Sequence, residues 1–282
     1  MFKKIFQSAF FLLISSAILS ACNKSIHTFG KTKIAKSVDS IYLKQRIAEI
    51  KGLNTDIFTK GEFKGAGDTP IVYRLLKPKS TNRKLPLVIV FHGSNAVGND
   101  NTSQLGILAK LFATDETQAK FPAFILAPQF PSRSSNYVMD QSRNVLTSVP
   151  QRCLTTALQL IDSLKNTLNI DEKRIYLIGF SMGASSVINA LSLKPDLFAA
   201  GISISGIPQF DKVKTLTNIP IWLIHGNMDT ENPFNSDEQF YKEVTHNKTR
   251  FWEFDNLAHN DIFAPAILTD ELPKWLFKFK RK

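Results

Sequence analysis

A serine with a glycine two residues to either side, set between a β-type run and a helical run, leaves a chain few folds to choose from. The stretch Arg174 to Leu193 reads RIYLIGFSMGASSVINALSL. Its first five residues alternate and then run apolar and are rich in β-branched and aromatic side chains, which predicts a strand. From Ala184 to Leu193 apolar residues recur at helical spacing with neither Gly nor Pro, which predicts a helix. Between them Gly179-Phe180-Ser181-Met182-Gly183 has the pattern G-x-S-x-G. A serine at the apex of a strand-to-helix turn is crowded by the backbone on both sides, and the glycines leave the room it needs. The helix that follows points its first amides at any negative charge that develops beside Ser181.

The rest of the chain supplies the sheet such a turn requires. Strands are expected around Ile71–Leu76, Leu85–Phe91, Ala123–Ala127, Arg174–Ile178, Ala200–Ile204, Ile219–Ile224 and Arg250–Phe254, with helical patterns between them. The clearest helix runs from Gln151 to Leu168, with Leu154, Leu158, Ile161, Leu164 and Leu168 on one face. Alternating strands and helices predict an α/β fold, a mostly parallel sheet with helices on both faces. The runs LPLVIVF and IPIWLI fit strands buried on both sides. With 282 residues, 43% of them hydrophobic, the chain can bury one large core or two small ones, and one domain behind an N-terminal tether fits best.

A serine nucleophile needs a base, an acid to orient the base, and donors for an oxyanion. In an open parallel sheet these belong at the carboxyl ends of strands. After IPIWLI comes His225-Gly226-Asn227-Met228-Asp229, and after RFWEF comes Asp255-Asn256-Leu257-Ala258-His259. The chain order Ser181, Asp229, His259 assigns nucleophile, acid and base. Asp255 and Asp261 are rival acids, and His246 is a rival base. After LVIVF, the turn at Gly93 in Phe91-His92-Gly93-Ser94-Asn95 directs the Ser94 amide toward the site, where it pairs with the Met182 amide as an oxyanion hole. The five histidines show no metal-ligand spacing with cysteines or carboxylates, so no metal and no cofactor is expected. His92 and His225 read as strand-end residues packed under the loops.

The N-terminus carries a different message. Residues 1–21 combine Lys3 and Lys4 with the apolar FFLLISSAIL, the pattern of a secretory signal and too short for a spanning helix. Leu19-Ser20-Ala21-Cys22 resembles the lipobox of bacterial lipoproteins, which implies cleavage before Cys22, fatty acylation such as palmitate on it, and an envelope location on a lipid anchor. Residues 22–57 are expected to form a tether plus a short helix at Ser40–Lys51, and residues 58–282 the catalytic domain. Cys153, on the predicted helix, is left as a packed thiol. The formal net charge of +11 is spread along the chain and ends in Lys278, Lys280, Arg281 and Lys282. No stripe of basic and aromatic residues suited to nucleic acid appears; attraction to an anionic surface accounts for the charge.

The segments LPLVIVFHGSNAVGNDNTSQL, FPAFILAPQFPSRSSNY, GFSMGA and HGNMD together resemble the α/β-hydrolase esterases described as predicted peptidases or phospholipase/carboxylesterase-like, relatives of feruloyl and acetyl-xylan esterases. The resemblance runs from about Thr59 to the C-terminus. Asn95 stands where that family usually has a glycine, and Ala258 where a glycine often precedes the histidine. The resemblance implies the α/β-hydrolase fold and ester hydrolysis through an acyl-enzyme at Ser181, on short acyl groups or acyl groups attached to carbohydrate. Only residues 207–218 separate two strands where lipases often insert a lid, so an open site without a large lid is expected. The segment Phe130–Asp140, with Tyr137 and Met139, is expected to wall the site as a loop. Two other readings stand beside this one. A serine peptidase of the same fold uses the same three residues, although the extra propeller or cap that selects peptides is not expected here. A non-catalytic binding lipoprotein predicts a lost member of the triad, and all three are present.

Overall fold

The computed structural model describes residues 28–35, 40–66, 70–79, 82–244, 248–263 and 268–282. The signal segment, Cys22 and the rival base His246 lie outside the described residues. In chain order the strands are β1 (Gly30–Ile34), β2 (Thr59–Phe63), β3 (Ile71–Leu76), β4 (Leu85–Phe91), β5 (Phe124–Gln129), β6 (Ser135–Asp140), β7 (Val145–Pro150), β8 (Ile170–Phe180), β9 (Ala200–Ile204), β10 (Ile221–Gly226) and β11 (Thr249–Phe254). The helices are α1 (Ser40–Lys51), α2 (Ile107–Ala113), α3 (Asp115–Lys120), α4 (Arg152–Thr167), α5 (Met182–Leu193), α6 (Phe234–Glu243) and α7 (Glu271–Leu276).

Nine of these strands form one sheet in the order β1-β11-β10-β9-β8-β4-β5-β3-β2. β3 runs antiparallel to β2 and to β5, and every other neighbouring pair is parallel. β4 shows why the apolar runs matter. All seven of its residues are buried, and successive side chains enter opposite cores. Leu87, Ile89 and Phe91 join Leu154, Leu158 and Val187 on the face covered by α4 and α5, whereas Val88 and Val90 join Leu108, Trp222 and Trp275 on the face covered by α2 and α7. Both faces are thus filled, as a parallel sheet demands.

Four strands, β1, β2, β6 and β7, depart from the sequence-based expectations. Residues 30–34, expected in a tether, form β1 at the edge of the sheet beside β11, so the folded body takes in residues well before 58. Its sequence GKTKI hides the strand because Lys31 and Lys33 reach out to Glu253 at 2.9 Å and Asp255 at 3.1 Å instead of burying apolar surface. β2, TKGEF, is missed for the same reason, being a polar edge strand. The segment expected as a loop over Phe130–Asp140 ends in β6, which pairs with β7 in a separate hairpin. That hairpin packs on α5 through Tyr137, whose hydroxyl lies 3.1 Å from Ser185 Oγ, so it does stand beside the helix that Ser181 opens.

Candidate active site

Ser181 sits between β8 and α5 with φ 56° and ψ −122°. A non-glycine residue with positive φ is strained, and it persists only where the surroundings fix it. Here they do. The Ser181 amide donates to Ile204 O at 2.9 Å, tying the turn to the end of β9. The two glycines answer to backbone: a Cβ on Gly179 would stand 2.3 Å from Gly183 O, and one on Gly183 would stand 2.3 Å from Phe91 O. No side chain fits either place, so the strand and helix meet only with glycine at both.

The carboxyl ends of β10 and β11 bring the partners. Asn227 N donates to Phe254 O at 3.0 Å, Met228 N to Leu257 O at 3.1 Å, and Asn256 N to Asn227 Oδ1 at 2.9 Å. These bonds lock the loop that carries Asp229 to the loop that carries His259. His259 Nε2 lies 2.9 Å from Ser181 Oγ, and its Nδ1 lies 2.6 Å from Asp229 Oδ2. Because Nδ1 faces a carboxylate it carries the hydrogen, and Nε2 is left as an acceptor toward the serine. His259 is buried except for that edge, its ring tilted against Phe180 with centroids 4.9 Å apart, while Ser181 is half-buried and reachable.

Asp229 is saturated with donors. Its Oδ1 accepts the amides of Glu231 at 3.0 Å and Asn232 at 2.9 Å, and its Oδ2 takes His259 together with His225 Nε2 at 3.1 Å. Burial works against its charge, but these hydrogen bonds outweigh burial and hold its carboxyl well below the ordinary range. The rivals are placed elsewhere. Asp255 accepts from Asn227 and pairs with Lys33, and Asp261 is exposed.

The loop after β4 passes over the serine. A Cβ on Gly93 would stand 3.6 Å from Ser181 Cβ. Ser94 then opens a single 3-10 turn, closed by Ala96 N to Gly93 O at 3.2 Å. His92 holds this loop from below: its Nε2 accepts Phe130 N at 2.9 Å, so Nδ1 donates to Gly93 O at 2.7 Å. Burial lowers the His92 pKa, which keeps the ring neutral and this tautomer in place. Gln129, from the APQ at the end of β5, accepts Asn101 N at 2.7 Å and donates to Ala96 O at 3.1 Å, bracing the other end. Beside the loop opens a cavity of about 350 Å³ walled by Gly93, Asn95, Gln104, Ile107, Phe180 and Phe263. Across the site Glu231 Oε2 stands 4.0 Å from His259 Nε2.

The sequence pattern of the phospholipase/carboxylesterase family matches residues 135–262, which span Ser181, Asp229 and His259. A solved structure described as a thermostable esterase superposes with a TM-score of 0.72 at 32% identity, covering 80% of this chain and 64% of its own. A ferulic acid esterase superposes at 0.58 with 14% identity, over 78% of this chain and 98% of its own. The chain has the α/β-hydrolase fold. A bifunctional acetylxylan esterase/xylanase from Neocallimastix patriciarum is 38% identical over 84 residues, which is 30% of this chain and 12% of that protein. The chain thus spans only a small part of that relative and just under two thirds of the thermostable esterase.

Within the α/β-hydrolase fold, the structure brings together Ser181, His259 and Asp229 as one hydrogen-bonded row and sets Ser94 and Met182 at the loop and helix start beside it. What the sequence did not reveal is a buried group behind Asp229. Asp237, on α6, lies 2.8 Å from His225 Nδ1. Nothing in FNSDEQFYKE separates it from an ordinary solvated helical acid; only the depth of α6 against β10 does.

Proposed function

We propose that this chain is a serine esterase that hydrolyses carboxylic esters carrying short acyl groups or acyl groups attached to carbohydrate. The observation that carries this reading is the unbroken row Ser181–His259–Asp229 with Ser181 on a strained, glycine-flanked turn. Likeness to a thermostable esterase and to an acetylxylan esterase supports the substrate class.

In this reading Ser181 Oγ attacks the ester carbonyl while His259 Nε2 takes its proton, and Asp229 stabilises the imidazolium that results. The oxyanion is received by the amides of Ser94 and Met182. Two features support that pair. Met182 is the first residue of α5, and the first amide bonded back into the helix is Ser185 N to Ser181 O at 3.1 Å, so the Met182 N–H lies outside the ladder. Ser94 likewise opens its turn. Collapse of the intermediate sends the His259 proton to the leaving alcohol and leaves an acyl group on Ser181. Water then attacks this acyl-enzyme, His259 accepting its proton, and the acid is released with Ser181 restored.

The test is hydrolysis of p-nitrophenyl acetate, butyrate and octanoate, methyl ferulate, acetylated xylan and an N-acylated peptide p-nitroanilide by the protein and by Ser181→Ala. The variant is expected to lose about three orders of magnitude or more on the esters. Equal rates in both proteins refute the nucleophile, and turnover of the anilide alone reassigns the chain to peptide bonds.

We also infer that Cys22 carries lipid and holds the hydrolase body on a membrane of the cell envelope, with residues 1–21 removed. The lipobox-like LSAC at positions 19–22 supports this. Several acyl chains on one residue anchor far more firmly than a single chain. Wild-type protein is expected in the membrane fraction and labelled by radioactive palmitate, and Cys22→Ser in neither state; a labelled variant refutes the site.

A further inference from the structure

Behind the catalytic row lies a second pair of ionisable groups that the reaction just described leaves unused. His225, at the end of β10, is fully buried between Asp229 and Asp237. Its Nε2 faces two acceptors, Asp229 Oδ2 at 3.1 Å and the carbonyl of Asn232 at 2.9 Å, so Nε2 carries a hydrogen. Its Nδ1 faces Asp237 Oδ2 at 2.8 Å, and a second hydrogen lies between those two atoms. The pair His225–Asp237 therefore holds one proton more than a neutral ring beside a free carboxylate and has no net charge. Phe234 closes the pocket edge-on, with ring centroids 5.7 Å apart.

We propose that Asp237 is a positioning residue of this hydrolase: through His225 it keeps an N–H against Asp229 Oδ2 and so holds that carboxylate aimed at His259. This rests on the serine esterase reading above. Without Asp237 the ring of His225 has no partner at Nδ1 and is free to tilt away from Asp229, whose Oδ2 then answers to His259 alone.

The proton between His225 and Asp237 also carries a pH dependence. Its loss leaves two buried carboxylates, Asp229 and Asp237, flanking a neutral ring, and Asp237 Oδ1 has no other partner among the described residues. Burial opposes charge on His225, but hydrogen bonds to Asp229 and Asp237 outweigh it and push its pKa up to about 9. Burial likewise raises Asp237. The two titrate as a unit. Activity is therefore expected to fall as pH rises through about 9.

Two substitutions separate the roles. Asp237→Asn has an amide N–H to offer to Nδ1, so His225 keeps its Nε2–H as a neutral ring, with no proton left to lose in this range. Asp237→Leu offers nothing. Ester hydrolysis by both, by the wild type and by Ser181→Ala is measured from pH 6 to pH 10.5 with the full-length protein. Asp237→Leu is expected to lower kcat tenfold to a hundredfold with KM nearly unchanged, the size of effect that follows from misplacing catalytic groups by a fraction of an ångström to one ångström. Asp237→Asn is expected to stay within about threefold of wild type at pH 7.5 and to lose the decline near pH 9. If Asp237→Leu does not fold, the profile of Asp237→Asn decides alone. An alkaline decline unchanged in Asp237→Asn, or wild-type kcat in Asp237→Leu, overturns the proposal while a dead Ser181→Ala leaves the esterase reading standing. Activity that survives Ser181→Ala refutes that reading itself.

Discussion

At their carboxyl ends β10 and β11 bury Asp229, His225 and His259, and each charge there is met by hydrogen bonds at 2.6 to 3.1 Å. At the start of the same two strands Arg250 is also buried, at 2% exposure, but its Nε and Nη2 have no acceptor among the described residues. It is covered instead by aromatic faces. Its guanidinium lies 4.0 Å from the centre of the Trp222 ring, its register neighbour, and 4.4 Å from that of Trp252. Burial, only partly offset by Glu271, pushes its pKa down to about 10. Hydrogen bonds fix direction, whereas ring faces fix only distance. The end that orients an imidazole uses the first device, and the end that only packs uses the second.

The largest effect expected from this contrast is at Asp229. Both of its oxygens receive donors only: backbone amides on one, imidazole N–H groups on the other. Asp229→Asn must set an NH₂ against two donors whichever way the amide turns. We expect kcat to fall by about 10³ to 10⁴, as when the orienting acid of such a triad is made an amide. Loss below tenfold on p-nitrophenyl acetate contradicts the idea that direction matters at this end.

A smaller effect is expected in stability against pH. The folded-state pKa of His225, about 9, lies above its ordinary value of 6.5. Between these values the folded protein keeps a proton that the unfolded chain has released. Stability from this group is therefore complete below pH 6.5 and lost as pH rises to 9, by up to about 3 kcal/mol. Arg250 is charged in both states across that window and contributes nothing to the slope. Urea titrations at pH 6.5, 8 and 9.5 check this, and Asp237→Asn is expected to flatten the dependence.

How much of this was legible in the sequence follows the same division. β4 and β9 were read with their observed bounds, Leu85–Phe91 and Ala200–Ile204, because strands buried on both faces must be continuously apolar. Ser181, Asp229 and His259 were picked out because each follows an expected strand, at the edge where a parallel sheet collects its loops. β1 and β2 were not, since an edge strand solvates one side and GKTKI and TKGEF look like tether. Asp237 was invisible for a different reason. Its burial comes from the packing of α6 on β10, which no local pattern records, and a buried helical aspartate has the same neighbours in sequence as an exposed one. Arg250 shows the converse, a charge inside a strand that fits only because two tryptophans happen to flank it.

The smallest effect is expected at Arg250, and it is the sharper test of the comparison because it asks for nothing to happen. If aromatic faces merely cover this side chain, an unbranched apolar group of similar length should serve. Arg250→Met gives up cation–π attraction of about 1 to 2 kcal/mol and recovers the desolvation of a charge with two unpaired nitrogens. These nearly cancel, so the variant is expected within about 1 kcal/mol of wild type, a Tm shift of no more than about 4 °C. Arg250→Ala removes the packing stem as well and is expected to cost about 2 to 4 kcal/mol through the cavity between Trp222 and Trp252. Both should keep wild-type kcat, since the site lies at the other end of the strands. A methionine variant as unstable as the alanine one would mean that the charge of Arg250 is needed after all, and that the two ends of β10 and β11 differ less than their contacts indicate.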